Sequence, residues 1–215
     1  MAPGGSEEID AAKAALRTTL LAGRRALSPT DLTAAADAIR DRALEALAPA
    51  PTVALYASMG SEPGTHPLLE ALREGGTRVL LPVLRPDLEL DWGVYRGPDF
   101  LVPGARGTVE PAGPRLGPEA FRDVLLAFVP GLAADRAGHR LGRGGGSFDR
   151  ALRYANPAAL IAVVLHRGEL VEHVPVRGHD AAVHAVLSPD GFIPVGDPGP
   201  VDAGEPGEWS QGDGW

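Results

Sequence analysis

Six short apolar runs dominate the middle of the chain: TVALYA (52–57), RVLLPVL (78–84), DLELDWGVY (87–95), VLLAFV (124–129), LIAVVL (160–165) and AVHAVL (182–187). Several are nearly continuous in Val, Leu and Ile, which is the pattern of strands covered on both faces. Helical stretches at Pro67–Glu74 and Ser147–Tyr154 separate some of them. Strands alternating with helices need crossover connections, so the runs predict an α/β domain built on a mostly parallel sheet. The DLELDWGVY run alternates and is expected to be an added or edge strand. Residues 97–118, rich in Pro and Gly, read as one long loop, and such loops in compact domains are usually functional or mobile.

Two helices precede the first strand. From Ser6 to Leu27, Ile9, Leu16, Leu20 and Leu27 recur near helical spacing, and the acids of SEEID complement the dipole of the first turn. Ser28, Pro29 and Asp31 then supply an N-cap, a first-turn proline and an acid three residues after the cap, with the second helix ending at Pro49. All 20 basic residues and 22 of the 28 acids lie before position 190, so most of the net charge of −8 falls in residues 190–215. That segment holds six acids, no base and many Gly and Pro, and reads as a disordered tail outside a single domain over 6–189. With no cysteine in 215 residues, disulfides, thiolate nucleophiles and sulfur-based zinc sites are excluded. The start MAPGGSEE lacks a secretory pattern and no run reaches about 18 apolar residues, so a soluble cytoplasmic protein without a membrane partner is expected.

Ligands of open α/β sheets bind in loops after the carboxyl ends of strands, which draws attention to the segment after VLLAFV. It reads VPGLAADRAGHRLGRGGGSFDRALRY, with Gly142, Gly144, Gly145 and Gly146 in five positions and a helix starting near Ser147. Glycines let backbone N–H groups converge, a helix N-terminus adds positive potential, and Arg140, Arg143 and Arg150 flank the loop. A phosphate is the expected occupant; a flexible surface turn is the plainer reading of the glycines. The loop lacks the ending of a Walker A motif, and Ser147 stands where a dinucleotide fingerprint has its third glycine. With near-neutral charge before position 190 and no basic face carrying aromatics, nucleic acid is not expected as a partner.

Lys13 is the single lysine among the basic residues. On a helix Lys13, Arg17 and Arg24 lie within about 40° of one another and form one cationic stripe. A solvated face is the usual explanation, but a chain that otherwise uses arginine and keeps one compact ammonium suggests a point contact to phosphate. Glu62 and Thr65, after the first strand, are placed to grip a polar ligand, although Thr65 would equally cap the next helix. Asp149 and Asp180 could hold magnesium beside phosphates; alone they read as a first-turn acid and an Asx turn. The six histidines show no metal-ligand spacing, and no GxSxG elbow is present.

Lys13 and Arg17 on an N-terminal helix, YASMGSEPGT, GTVEP at 107–111, VPGLAADRAGHRLGRGGGSFDR at 129–150 and VPVRGHD at 174–180 occur in order. Together they resemble the 5-formyltetrahydrofolate cyclo-ligase family, with RLGRGGGxxD the most specific element. The resemblance implies a Rossmann-like three-layer α/β sandwich with a mostly parallel sheet (NagB/RpiA/CoA transferase-like). It implies conversion of 5-formyltetrahydrofolate to 5,10-methenyltetrahydrofolate with ATP and Mg2+, releasing ADP and phosphate. It assigns Lys13, Arg17, Arg140, Leu141, Gly142, Arg143, Gly144, Gly145, Gly146, Ser147 and Phe148 to ATP. Ala57, Glu62, Arg143, Gly146, Ser147 and Phe148 face the folate, and Asp149 and Asp180 become metal-site acids. No side-chain nucleophile is implied; Lys13, Arg17 and Arg143 act by positioning, in an enzyme expected to be a monomer.

Four positions depart from the family pattern. Ser147 and Phe148 stand where two tyrosines are usual, Gly145 where some members carry lysine, and Ala134 where an aromatic precedes the aspartate. Weaker folate binding or a modified substrate is the expected consequence. A nucleotide- or folate-binding relative without ligase activity is the alternative, and the glycine loop alone would also suit a sugar-phosphate or CoA-ester enzyme.

Overall fold

The computed structural model describes residues 4–177 and 181–196. Helices α1 (Gly4–Arg25) and α2 (Pro29–Ala46) lead into β1 (Thr52–Ala54), α3 (His66–Glu74), β2 (Arg78–Leu84) and β3 (Leu90–Val94). A hairpin of β4 (Leu101–Pro103) and β5 (Val109–Pro111) follows, then β6 (Leu126–Pro130), β7 (Ala133–Asp135), β8 (Arg140–Leu141) and α4 (Ser147–Ala151). The chain continues through β9 (Leu160–Val164), β10 (Leu170–Val171), β11 (Ala185–Ser188) and β12 (Gly191–Pro194).

The main sheet has the order β12-β11-β9-β6-β1-β2-β3. Five central strands run parallel, and both edges, β3 on β2 and β12 on β11, are antiparallel. The edge reading of the alternating run therefore holds for β3. The domain boundary at 189 is corrected, because Ser188 pairs with Gly191 and the chain returns as a hairpin strand. Only four residues make that strand, too few to stand out among Gly and Pro. The remainder of the acidic tail, 197–215, lies outside the described residues.

The loop expected over 97–118 is also more ordered than its composition suggests. β4 and β5 pair from Leu101–Pro111 to Pro103–Val109. Buried Glu110 anchors the hairpin by accepting from the Leu84 N–H at 3.1 Å and the Thr108 hydroxyl at 3.0 Å. A third small sheet, β10-β7-β8, was not legible in the apolar pattern.

The Rossmann-like three-layer sandwich follows from two cores. Ile39 and Ala43 of α2 and Leu68 and Leu69 of α3 pack on one face with Val53, Val79 and Phe128. The other face buries Trp92, stacked on Phe121 at 4.8 Å, together with Val129, Ile161 and Ala151. Leu16, Leu20 and Leu21 of α1 pack instead against Leu132, Ala133, Leu141 and Val174 around the small sheet. This docking carries the first helix to the carboxyl ends of β1 and β6, where the chain leaves in opposite directions and an open α/β sheet forms its ligand crevice.

The start of α2 is a capping box: the Asp31 N–H donates to Ser28 Oγ at 3.1 Å and the Ser28 N–H to Asp31 Oδ2 at 3.2 Å. Ser28→Ala is expected to lower Tm by about 2–4 °C, the worth of one cap in a domain of this size, as read by thermal melting.

Candidate active site

A cavity of about 550 Å3 opens at that switch point. Its walls come from α1 (Lys13, Arg17), the segment after β1 (Tyr56, Ala57, Met59, Glu62), the end of β2, the β4–β5 hairpin, and the glycine loop from Arg140 to Asp149. Every described residue assigned to ATP or folate lines it. Asp180 lies outside the described residues.

Cations from α1 and the glycine loop line the cavity. Lys13 is buried to 8% exposure, and the Arg17 Nε–H donates to Gly142 O at 2.9 Å, seating α1 on the glycine loop. Gly144 and Gly146 adopt φ of +107° and +67°, a region that a side chain would strain, so the loop path requires glycine there. The helix-dipole component of the expected phosphate site is smaller than the sequence suggested, since α4 has five residues before a single 3-10 turn. The positive character of the glycine loop therefore comes from its backbone and the cations around it.

The arginines divide into two groups. Arg140 is buried and donates to Pro130 O at 2.9 Å and to Asp149 Oδ1 at 2.6 Å. Arg150 donates to Leu88 O at 2.8 Å and Gly145 O at 3.0 Å, tying the β2–β3 turn to the glycine loop. These two hold the protein's own oxygens. Arg143 is 55% exposed and meets Glu62 at 3.3 Å, so it joins the glycine loop after β8 to the segment after β1. Arg24 is corrected from the cationic stripe expected with Lys13 and Arg17. It is 2% exposed, binds Glu169 through Nε (2.6 Å) and Nη2 (2.7 Å), and donates to Gly131 O at 2.7 Å.

Apolar side chains of Ala57, Met59, Leu84, Val109 and Phe148 line the same cavity, together with the Glu62 carboxylate. Glu62 accepts the Met59 N–H at 2.9 Å, which fixes its rotamer. Thr65 stands at the N-cap position of α3 without a side-chain cap bond, and its hydroxyl is committed within the protein. It is fully buried, donates to Tyr56 O at 2.6 Å, accepts the Ser58 N–H at 3.0 Å, and donates its own N–H to Ser58 Oγ at 2.9 Å. Phe148 packs against both cores as well as lining the cavity.

Two supporting residues were not singled out by the sequence reading. Buried Asp135 accepts the backbone N–H groups of Ala137, His139 and Val174, each at 3.0 Å, and meets the His139 ring at 3.0 Å. Burial opposes its ionisation, but these bonds prevail and hold the carboxyl below the usual aspartate range. They staple the segment approaching Arg177 to the β7–β8 turn. His166 donates from Nε2 to Ser61 O at 3.1 Å, bracing the residue before Glu62, while its own backbone N–H reaches Glu169 at 2.7 Å.

Burial lowers the pKa of His166 below the ordinary 6.5, more than its bond to Ser61 and the Glu169 charge raise it. The unfolded chain takes up this proton before the folded one does, so full stability holds above 6.5 and declines as pH falls below it. Urea midpoints measured across that window should fall with pH, and His166→Gln, which keeps a donor without titrating, should flatten the decline.

Asp149 has one oxygen on Arg140 and lines the cavity. Among the described residues no group of three acids or histidines could cage a metal. A magnesium ion bound chiefly by phosphate oxygens and water needs only one or two carboxylates, so this donor set fits that ion and not a dedicated protein cage. Among the described residues no helix is long and apolar enough to cross a membrane.

Comparisons with known proteins agree with this layout. A sequence profile of the 5-formyltetrahydrofolate cyclo-ligase family matches residues 9–189. A 5-formyltetrahydrofolate cyclo-ligase of Mycolicibacterium smegmatis is 41% identical over 182 residues, covering 82% of this chain and 93% of that protein. The Escherichia coli K12 cyclo-ligase is 35% identical over 147 residues, covering 64% and 78% of the two chains. The solved 5,10-methenyltetrahydrofolate synthetase of Aquifex aeolicus superposes with TM-score 0.73 at 28% identity, covering 86% of this chain and 93% of that one. The chain belongs to the 5-formyltetrahydrofolate cyclo-ligase family of enzymes.

Proposed function

We propose that the protein converts 5-formyltetrahydrofolate to 5,10-methenyltetrahydrofolate, consuming ATP with magnesium and releasing ADP and phosphate. The observation that carries this reading is one cavity lined together by the glycine loop, the cations of α1, several apolar side chains and one rotamer-fixed carboxylate. Triphosphate suits the loop and the cations, and a flat, amide-bearing ring suits the apolar side chains and the carboxylate. Family membership supplies the reaction class.

An amide oxygen is a poor leaving group, so the reaction needs activation. The formyl oxygen attacks the γ-phosphorus, the bond from phosphorus to the bridging oxygen breaks, and ADP departs with its electron pair. The folate then carries a phosphorylated, iminium-like carbon. N10 attacks that carbon, the carbon–oxygen bond breaks, and phosphate leaves as the N10 proton passes to it. No step calls for a protein nucleophile.

The work of this chain is therefore to position groups and neutralise charge. Lys13, Arg17 and the N–H groups of residues 142–146 hold the phosphates in line. Glu62 accepts N–H groups of the pterin, and Arg143, between Glu62 and the loop, orients the two substrates toward each other. Arg140 acts through Asp149, which would hold magnesium; the bound ion would spread the charge developing on the β- and γ-phosphates. We further propose a monomer in the cytoplasm, since one chain carries every group named.

Absorbance of the methenyl product and release of ADP, followed together with purified protein, ATP, magnesium and 5-formyltetrahydrofolate, test the reading. One ADP per methenyl group is expected. Folate and ATP binding without turnover would favour the non-catalytic relative, and absence of binding would reject both.

A further inference from the structure

Among the described residues two non-glycine positions adopt a left-handed backbone, Leu88 at φ +66° and Arg106 at φ +54°, and both line the cavity. The Leu88 carbonyl serves the protein by accepting Arg150 Nη2 at 2.8 Å. Arg106 serves no such purpose. Of the arginines on the cavity wall, it and Arg153 alone make no hydrogen bond or ion pair among the described residues, and Arg153 sits in an ordinary 3-10 turn.

A left-handed backbone is disfavoured for any residue with a Cβ and free for glycine. The tip of the β4–β5 hairpin has glycine at 104 and 107, yet keeps arginine at 106. This tip is firmly held. The Thr108 N–H donates to Ala105 O at 3.0 Å, the Gly104 N–H to Thr108 O at 2.8 Å, and Glu110 ties the hairpin to the Leu84 N–H at 3.1 Å. A fixed support thus presents an exposed guanidinium at the rim of the cavity, and strain retained where the side chain has no internal partner points to a ligand.

The ligand group is an anion. Cations of α1 and the glycine loop serve the triphosphate, whereas Arg106 comes from an element that also supplies apolar Val109 and is anchored at apolar Leu84. Those two side chains are half-buried and Arg106 is exposed, so the apolar wall gives way to the cation toward solvent. A folate has the same order: a flat ring, an aminobenzoyl segment and a glutamyl tail with two carboxylates. A guanidinium fork matches a carboxylate through two parallel bonds.

We infer that Arg106 is a specificity residue that binds a carboxylate of the glutamyl tail while the ring lies deeper in the cavity. The assignment rests on the folate reading above and extends it to the part of the substrate that does not react.

Arg106→Gly removes the side chain and suits the backbone, and Arg106→Asn tolerates the same φ while staying polar. Both should raise the KM for 5-formyltetrahydrofolate about tenfold and leave that for ATP within about twofold. With the 5-formyltetrahydrofolate diamide, whose glutamyl carboxylates are neutral, wild type and variants should agree within about twofold. An unchanged folate KM in the variants beside a normally active wild type overturns the Arg106 assignment alone. So does an equal rise for the diamide, a parallel rise for ATP, which would place the guanidinium on a phosphate, or a loss in only one variant, which would make the backbone responsible. A wild type that makes no methenyl product removes the folate reading, and this assignment with it.

Discussion

Replacing Lys13 by arginine should lower kcat/KM by at least about tenfold, and replacing it by methionine by about a hundredfold or more. Lys13 lies at 8% exposure on the face of α1 that lines the cavity, one helical turn from Arg17. A planar guanidinium is larger and presents its donors in a fixed fork, so it cannot reproduce a compact point charge at a phosphate in so confined a place. Arg17 would not compensate, since its Nε is committed to Gly142 O. Steady-state kinetics with both substrates varied checks this: the loss should fall on kcat and on the KM for ATP, with the folate KM little changed. Equal activity of Lys13→Arg would mean that the single lysine carries no special geometry.

Glu169→Ala should destabilise the fold by about 3–5 kcal/mol, because it leaves the Arg24 guanidinium buried and uncompensated. Arg24 is 2% exposed, and Glu169 also receives the His166 N–H. The double variant Arg24→Met with Glu169→Leu should recover much of the loss, since replacing both partners by apolar groups removes the stranded charge along with its partner. Urea unfolding of the two single variants and the double variant reads this directly. The same pair bonds Gly131 O at the end of β6 and, through His166, braces Ser61 beside Glu62. Stability and substrate affinity should therefore fall together in the single variants.

The parts of the fold written in local chemistry were legible. The capping box at Ser28 and Asp31 is a four-residue signal, and β2 occupies the full RVLLPVL run because a central parallel strand is apolar on both faces. The small sheet was hidden for the opposite reason. β8 and β10 have two residues each, and Leu170 pairs with Ala134 far away in sequence, so no periodicity develops. The β4–β5 hairpin sits among Pro and Gly and is held by Glu110, whose burial is a tertiary fact.

The site divides in the same way. The glycine loop, Lys13, Arg17 and Glu62 could be found because residue type and spacing alone suggest their chemistry, and the fold brings them to one cavity. What sequence could not separate was which cations face the cavity and which serve the protein. Arg24 shares a helix face with Lys13 and Arg17, yet Glu169 reaches it from a segment 145 positions away. Arg140 and Arg150 flank the loop in sequence but bind Asp149 and backbone carbonyls. Arg106 read as one more residue of a Pro- and Gly-rich loop, since its left-handed backbone and its place on the cavity wall exist only in the folded chain.

The central claim is that the formyl oxygen becomes the bridging oxygen to phosphorus before the ring closes. Turnover of 5-formyltetrahydrofolate labelled with 18O at the formyl group, followed by mass spectrometry of the released phosphate, tests it most directly. The account predicts one 18O atom in each phosphate formed. Unlabelled phosphate, with the label recovered in water, would contradict it.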